Sequence, residues 1–147
     1  MKLNSNDFWN VVDSLNWGQN PDYKTVGVLF QKLNPSDRKK FINRYQIFYN
    51  KLYNKVTDFI TKNSTTRNRF PFSGDDSFGD MIDHSIGLGH DFYHSALKDP
   101  MVLTQIKPVE SFRYCFHFES KKVATFPLDE FISMAKIKIL LKIDKPL

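Results

Sequence analysis

The longest regular pattern in the 147-residue chain runs from Pro35 to about Lys62 and predicts a single amphipathic helix. Asn34 suits the N-cap of this helix, and Pro35 suits its first turn. A helix of this length must serve as the scaffold on which the remaining elements pack. Its apolar side chains recur at helical spacing at Phe41, Tyr45, Phe48, Tyr49, Leu52, Val56, Phe59 and Ile60.

Shorter patterns on both sides of this helix predict a mainly α fold. Helical spacing of apolar residues predicts helices over residues 6–15, 23–33 and 76–89, with a polar loop at 63–74. The alternating run SFRYCFHF and the later VATFP indicate a β-hairpin, followed by a closing helix from Leu128 to about Ile143. We therefore expect one compact domain, 1–147, with a helical part at 6–106 and a hairpin plus helix at 107–147.

Composition places the chain among cytoplasmic globular proteins. Aromatic residues make up 15% of the chain and hydrophobic residues 41%, enough for a core without covalent staples. The single cysteine, Cys115, has no partner for an intramolecular disulfide and fits a reducing compartment. The polar N-terminus and the lack of a long apolar run predict neither a secretory signal nor a membrane partner.

A line of basic residues is expected along one edge of the long helix. On a helical wheel they fall within about 60° of each other, while Gln46 and Asn50 lie among the polar residues of the far side. Two interpretations remain open: the side-chain stems cover the edge of the core, or the charges bind nucleic-acid phosphates or an acidic segment of the same chain. The line consists of Lys40, Arg44, Lys51, Lys55 and Lys62.

Residues 75–100 form an acidic, histidine-rich segment in a basic protein. Six acids and one lysine give the segment a formal charge of −5, whereas the whole chain carries +5. If residues 76–89 are helical, Asp76, Asp80 and Asp83 fall opposite the apolar face and are expected to face solvent or a partner. The segment is therefore a site or an internal docking surface.

Two pairs in this segment have the spacing of metal ligands on a helix. Asp80 and His84 are four residues apart, as are His90 and His94, so that each pair lies on one helix face. A site for zinc or another divalent metal is one hypothesis, although no glutamate accompanies the histidines as in HExxH. The alternative is that these are ordinary surface or capping histidines and that the protein has no cofactor.

Three motifs resemble those of the bacterial DUF4240 family of uncharacterised domains over roughly residues 6–106. They are FWNVVD at 8–13, DDSF at 75–78 and GHDFYHSALKDP at 89–100. The resemblance implies a compact, mainly helical domain and names no reaction. The matching positions are Phe8, Trp9, Asp13, Asp75, Asp76, Phe78, Gly89, Tyr93, Asp99 and Pro100.

The sequence favours a binding or regulatory protein over an enzyme. It has neither the GxSxG motif nor a phosphate-binding glycine loop. We expect an interaction or immunity-type module with an unknown protein partner, for which Trp9, Asp75 and Asp76 are the shared binding candidates. Trp9 would otherwise pack in the core, and the two aspartates would cap a helix. The alternatives are a metal-dependent hydrolase that uses the Asp80–His94 cluster and nucleic-acid binding along the basic edge.

Overall fold

The computed structural model describes residues 5–19, 21–109 and 112–116, and the regular structure in these residues is helical. The prediction of a mainly α fold is therefore confirmed. None of the described helices combines the length and hydrophobicity needed to cross a bilayer. The elements are α1 (Ser5–Leu15), α2 (Tyr23–Phe30), α3 (Pro35–Lys62), the 3₁₀ helix η1 (Ser64–Arg69), α4 (Asp75–Gly87), α5 (His90–Lys98) and the 3₁₀ helices η2 (Pro100–Gln105) and η3 (Phe112–Phe116).

Helix α3 has the predicted bounds and lies at the centre of the fold. Asn34 caps it, since its Oδ1 accepts a hydrogen bond from the backbone N–H of Asp37 at 2.8 Å. The helix is buried on several sides in its middle, where Gln46 is 0% exposed and Asn50 1% exposed. The polar far side on which these two residues were predicted to lie is therefore covered in this part of the helix, because helical spacing does not reveal how many neighbours cover a helix.

Aromatic rings join α1 and η3 to α3. The ring of Phe8 in α1 stacks on Phe41 with centroids 4.7 Å apart and contacts Phe48 at 4.8 Å. Phe116 in η3 reaches the same helix, at 5.0 Å from Phe41 and 4.8 Å from Tyr45. The aromatic-rich composition is thus concentrated in one core around α3, where such pairs add to the stabilisation from burial.

Helix α4 ends at Gly87, and the ring of Trp17 packs directly on that residue. A Cβ atom at Gly87 would lie 2.6 Å from Cδ1 of Trp17, so only glycine allows this approach. Two residues later Gly89 adopts a φ of 106° and is the N-cap of α5. The chain therefore turns at Gly89, and the start of α5 lies against α1.

The predicted β-hairpin is not supported, because no strand occurs in the described ranges and Phe112–Phe116 forms a 3₁₀ helix. Its alternation predicted Arg113 and Cys115 on the face opposite the phenylalanines, yet all four described side chains of η3 are buried. Phe112 and Phe116 are four residues apart, a spacing that also fits a helical turn, and both rings contact Tyr45. The second predicted strand and the closing helix lie outside the described residues.

Candidate functional site

A pocket of about 520 Å³ opens where α1 meets the start of α5. Helix α1 contributes Trp9, Asn10 and Asp13, and the turn into α5 contributes the other lining residues, Leu88, Gly89, His90 and Asp91. This volume falls within the range of roughly 300–1,000 Å³ typical of small-ligand sites. Because the two walls come from distant parts of the sequence, the pocket exists only in the folded chain.

Gly89 and Asp13 lie close together at the N-terminus of α5. The φ of 106° at Gly89 lies in the left-handed region that favours glycine. A Cβ atom at this position would also lie only 2.6 Å from Oδ1 of Asp13. The exposed carboxylate of Asp13 therefore lies close to the N-terminus of α5, where the helix dipole favours negative charge.

Trp9 forms the floor of the site and is 5% exposed. Its ring contacts Phe48 on α3 at 4.8 Å and Tyr93 on α5 at 5.0 Å. The hydroxyl of Tyr93 donates a hydrogen bond of 2.6 Å to the carbonyl oxygen of Phe48, which ties α5 to the central helix. Trp9 thus packs in the core and lines the pocket at the same time.

The pocket is acidic. Asp13 and Asp91 both line it, and no lysine or arginine is among the described residues of its walls. Asp91 is fully solvent-exposed and accepts a hydrogen bond from Nδ1 of His90 at 2.9 Å. In the described part of the chain, no basic side chain forms an ion pair with Asp13. The site is therefore suited to a positively charged group.

His90 and His94 form a stacked pair beside the pocket. Their ring centroids lie 4.1 Å apart at an interplanar angle of 36°. Both rings rest on Trp9, at 5.6 and 5.8 Å between centroids. The predicted convergence of these two histidines on one face of a helix is confirmed.

His84 has a different role, because its ring is buried against Trp17. Nδ1 of His84 accepts a hydrogen bond from Nε1 of Trp17 at 3.0 Å and a second one from the backbone N–H of Val109 at 3.3 Å. Burial lowers the pKa of His84 to about 4, so the imidazole is neutral at pH 7. His84 therefore holds α4 to the α1–α2 connection and to the segment after η2.

The four predicted metal ligands do not form one site. No three histidine, cysteine, aspartate or glutamate side chains within the described ranges are placed to hold a metal ion. Helical spacing paired Asp80 with His84, but Nδ1 of His84 is occupied by Trp17. Of the four residues, the structure brings together His90 and His94.

Asp83 is part of a buried polar cluster instead of facing solvent as expected. Its carboxylate is 3% exposed and accepts hydrogen bonds from Nε and Nη2 of Arg113, at 2.7 and 3.1 Å, and from the hydroxyl of Tyr45 at 2.6 Å. The guanidinium of Arg113 also lies 4.8 Å from the ring centre of Tyr49. The expectation was wrong because Arg113 brings a charge to the face of α4 on which Asp83 lies.

The charged and polar groups of this cluster are paired with one another in the core. Burial alone would lower the pKa of Arg113, but the charge and hydrogen bonds of Asp83 raise it above its ordinary value. Burial and the charge of Asp83 raise the pKa of Tyr45, so its hydroxyl stays protonated as a donor. Burial also raises the pKa of the Cys115 thiol, which leaves a poor nucleophile. Within the cluster, the Tyr45 hydroxyl and the Arg113 guanidinium both donate to Asp83.

The remaining predicted binding residues lie away from the pocket walls. Asp75 and Asp76 are exposed in the first turn of α4, and Gly74 occupies the N-cap in their place. On α3, the side chains of Lys40, Lys55 and Lys62 are exposed, whereas Arg44 and Lys51 are half-buried. Lys62 pairs with Asp58 at 3.1 Å.

Sequence reasoning did not assign the pocket residues Asn10, Asp13, Leu88, Gly89 and Asp91 to a site. Two features of the sequence could have indicated these residues. Trp9 and Asp13 are four residues apart and so lie on one face of α1, and Gly89 belongs to another family motif. Only the fold shows that these motifs meet.

Comparisons with known proteins agree with the motifs. No curated protein and no solved structure shows significant similarity to the chain. The family described as "Protein of unknown function (DUF4240)" matches residues 3–128, a longer range than the 6–106 expected from the three motifs. The chain therefore belongs to the DUF4240 family.

Proposed function

We propose that the protein is a non-enzymatic binding module that takes a positively charged side chain of a protein partner into the pocket between α1 and α5. The observation that carries this proposal is the pairing of Asp13 and Asp91 in one cavity without a basic residue in its described walls. A lysine or arginine from a partner would supply the missing charge.

The other walls of the pocket suit the same ligand. His90 offers exposed aromatic surface on which the stem of a lysine or the plane of a guanidinium can rest, and the small exposed part of Trp9 lies beside it. The carboxylate of Asp13 is exposed at the N-terminus of α5, so a basic group can reach it from solvent. A single basic side chain fits easily in a cavity of about 520 Å³, which leaves room for neighbouring partner residues.

The buried polar groups support binding over catalysis. Asp83 is saturated by Arg113 and Tyr45, and the buried imidazole of His84 is neutral and engaged by Trp17. Their hydrogen bonds are made within the protein. The pocket itself combines carboxylates and aromatic surface, a set of groups that recognises a cation.

Titration with small basic probes, followed by nuclear magnetic resonance, tests this proposal. N-acetyl-arginine amide and N-acetyl-lysine amide are the probes, and neutral N-acetyl-glutamine amide is the control ligand. We expect shifts of the Trp9 indole and Gly89 amide signals with the basic probes alone. The shifts should weaken as salt is added, because the carboxylate of Asp91 is exposed.

Two variants with the same change of charge locate the site. Asp13→Asn should weaken binding of the basic probes at least about tenfold, as expected when one charged hydrogen-bond partner is lost. Asp76→Asn removes an equally exposed charge from the first turn of α4 and should bind as the wild type does. Equal affinities of Asp13→Asn and wild type, or equal binding of the glutamine probe, would refute the proposal.

A further inference from the structure

The histidine pair on α5 has the four-residue spacing of two metal ligands on a helix. His90 and His94 are one helical turn apart, and their rings lie side by side with centroids separated by 4.1 Å. Both side chains are exposed, with 49% of the His90 side chain accessible to solvent. An ion can therefore reach both rings without any rearrangement of the core.

The hydrogen bonds of the two rings determine which nitrogen atoms are free. Nδ1 of His94 lies 2.8 Å from the carbonyl oxygen of His90, and this oxygen can only accept. Nδ1 of His90 lies 2.9 Å from the carboxylate of Asp91, which also accepts when ionised. In the neutral rings the proton therefore sits on Nδ1, and the lone pair of Nε2 is available on both histidines.

This arrangement matches the surroundings of histidines that bind metals. A metal-binding histidine usually donates its second ring N–H to a carboxylate or a backbone carbonyl, which fixes the tautomer and the ring orientation. Here His90 has a carboxylate acceptor and His94 a carbonyl acceptor. Each ring is thus held through Nδ1 by its own hydrogen bond, which leaves its Nε2 atom able to bind a metal ion.

We propose that Nε2 of His90 and Nε2 of His94 bind one divalent transition-metal ion of the kind that imidazole prefers, such as Zn²⁺, Ni²⁺ or Cu²⁺. These ions accept neutral imidazole ligands at exposed positions. Because no third protein ligand is placed nearby in the described ranges, water completes the coordination. The site adjoins the acidic pocket through His90 but does not depend on the cation-binding function proposed above.

Isothermal titration of the tag-free full-length protein with NiCl₂, ZnCl₂ and CuCl₂ tests the site. We expect saturable binding of one ion per chain. Binding of Cu²⁺ should also quench the fluorescence of Trp9, whose ring lies 5.6 and 5.8 Å from the two imidazoles. Absence of saturable binding for all three ions would overturn the proposal.

Variants separate the pair from the other histidine of the segment. His90→Ala and His94→Ala should each weaken binding by more than about tenfold, and Asp91→Asn, which replaces the carboxylate acceptor of His90, by about tenfold or more. His84→Asn removes a histidine that is bonded to Trp17 and should retain the wild-type affinity. Wild-type affinity in both alanine variants would overturn the proposal, as would loss of binding in His84→Asn with the fold intact by circular dichroism.

Discussion

His84 should make the stability of the protein depend on pH between about 4 and 6.5. Burial lowers the pKa of this imidazole to about 4 in the fold, whereas in the unfolded chain it has its ordinary value of 6.5. The fold thus favours the neutral ring, and the unfolded chain binds more protons between these two values. The contribution of His84 to stability is fully present above pH 6.5 and is lost as the pH falls towards 4.

The size of the effect follows from the two pKa values. At pH 5 the unfolded ring is almost fully protonated and the folded ring almost fully neutral, so the free energy of unfolding falls by about 2 kcal/mol relative to pH 7. For a chain of this length the loss lowers the melting temperature by roughly 4 to 8 °C. Protonation of Nδ1 also removes the acceptor for Trp17 and Val109, which gives the loss its structural cause.

Urea unfolding of the wild type, His84→Asn and His84→Gln at several pH values between 5 and 7.5 measures this contribution. Neither variant titrates in this range, so both should lack the 2 kcal/mol loss. The asparagine oxygen can stand near the position of Nδ1 and accept the Trp17 hydrogen bond, so we expect His84→Asn to be the more stable variant at pH 7. If the wild type and both variants lose the same free energy between pH 7 and pH 5, the assignment to His84 is wrong.

Two further predictions concern the buried ion pair and the turn into α5. Asp83→Asn leaves Arg113 buried and charged without its counter-ion, and we expect a loss of about 3 to 5 kcal/mol in urea unfolding; a loss below about 1 kcal/mol would contradict the buried pair. Gly89→Ala combines a φ of 106° with a contact of 2.6 Å to Asp13 and should cost about 1 to 3 kcal/mol. Gly74→Ala meets nothing within 4 Å, and an equal loss in this variant would count against our account of Gly89.

Helix boundaries were predictable because local chemistry sets them. Asn34 and Pro35 cap and start α3 with groups that lie within one turn of each other. Boundaries of this kind depend on the backbone and its immediate neighbours, so capping residues suffice to place them. The helix predicted over residues 76–89 extends two residues past the end of α4 at Gly87, because apolar spacing alone does not show that Gly89 has a positive φ.

The burial of polar groups was not predictable because it depends on residues distant in the sequence. Helical spacing places Asp83 opposite the apolar face of α4, but Arg113 arrives from η3 and makes burial of the carboxylate favourable. The η3 sequence itself alternates aromatic and polar residues, which is typical of a strand. Contacts of Phe112 and Phe116 with Tyr45 override that local pattern.

Predicting the pocket requires both the local sequence motifs and the contacts between residues distant in the sequence. Two of the family motifs each contain one wall of the pocket. The motif at 8–13 contains Trp9 and Asp13, and the motif at 89–100 contains Gly89 and the residues that follow it. Neither motif by itself indicates that Asp13 and Asp91 line one pocket. The spacing of residues within α1 cannot indicate which other helix packs against α1. The turn at Gly89 brings the walls together, and the φ of 106° at this position favours glycine.

The histidines show why residue spacing alone cannot distinguish a buried imidazole of the core from an exposed one. Asp80 and His84 have the same four-residue spacing as His90 and His94, yet Nδ1 of His84 accepts hydrogen bonds, whereas Nδ1 of the other two rings donates. The proton of His84 is therefore on Nε2, and that of His90 and His94 is on Nδ1. The imidazole that accepts from Trp17 stabilises the core as a neutral ring, and the two that donate to oxygen atoms keep Nε2 free for an ion. The role of each histidine follows from the partner of its Nδ1, which only the folded structure shows.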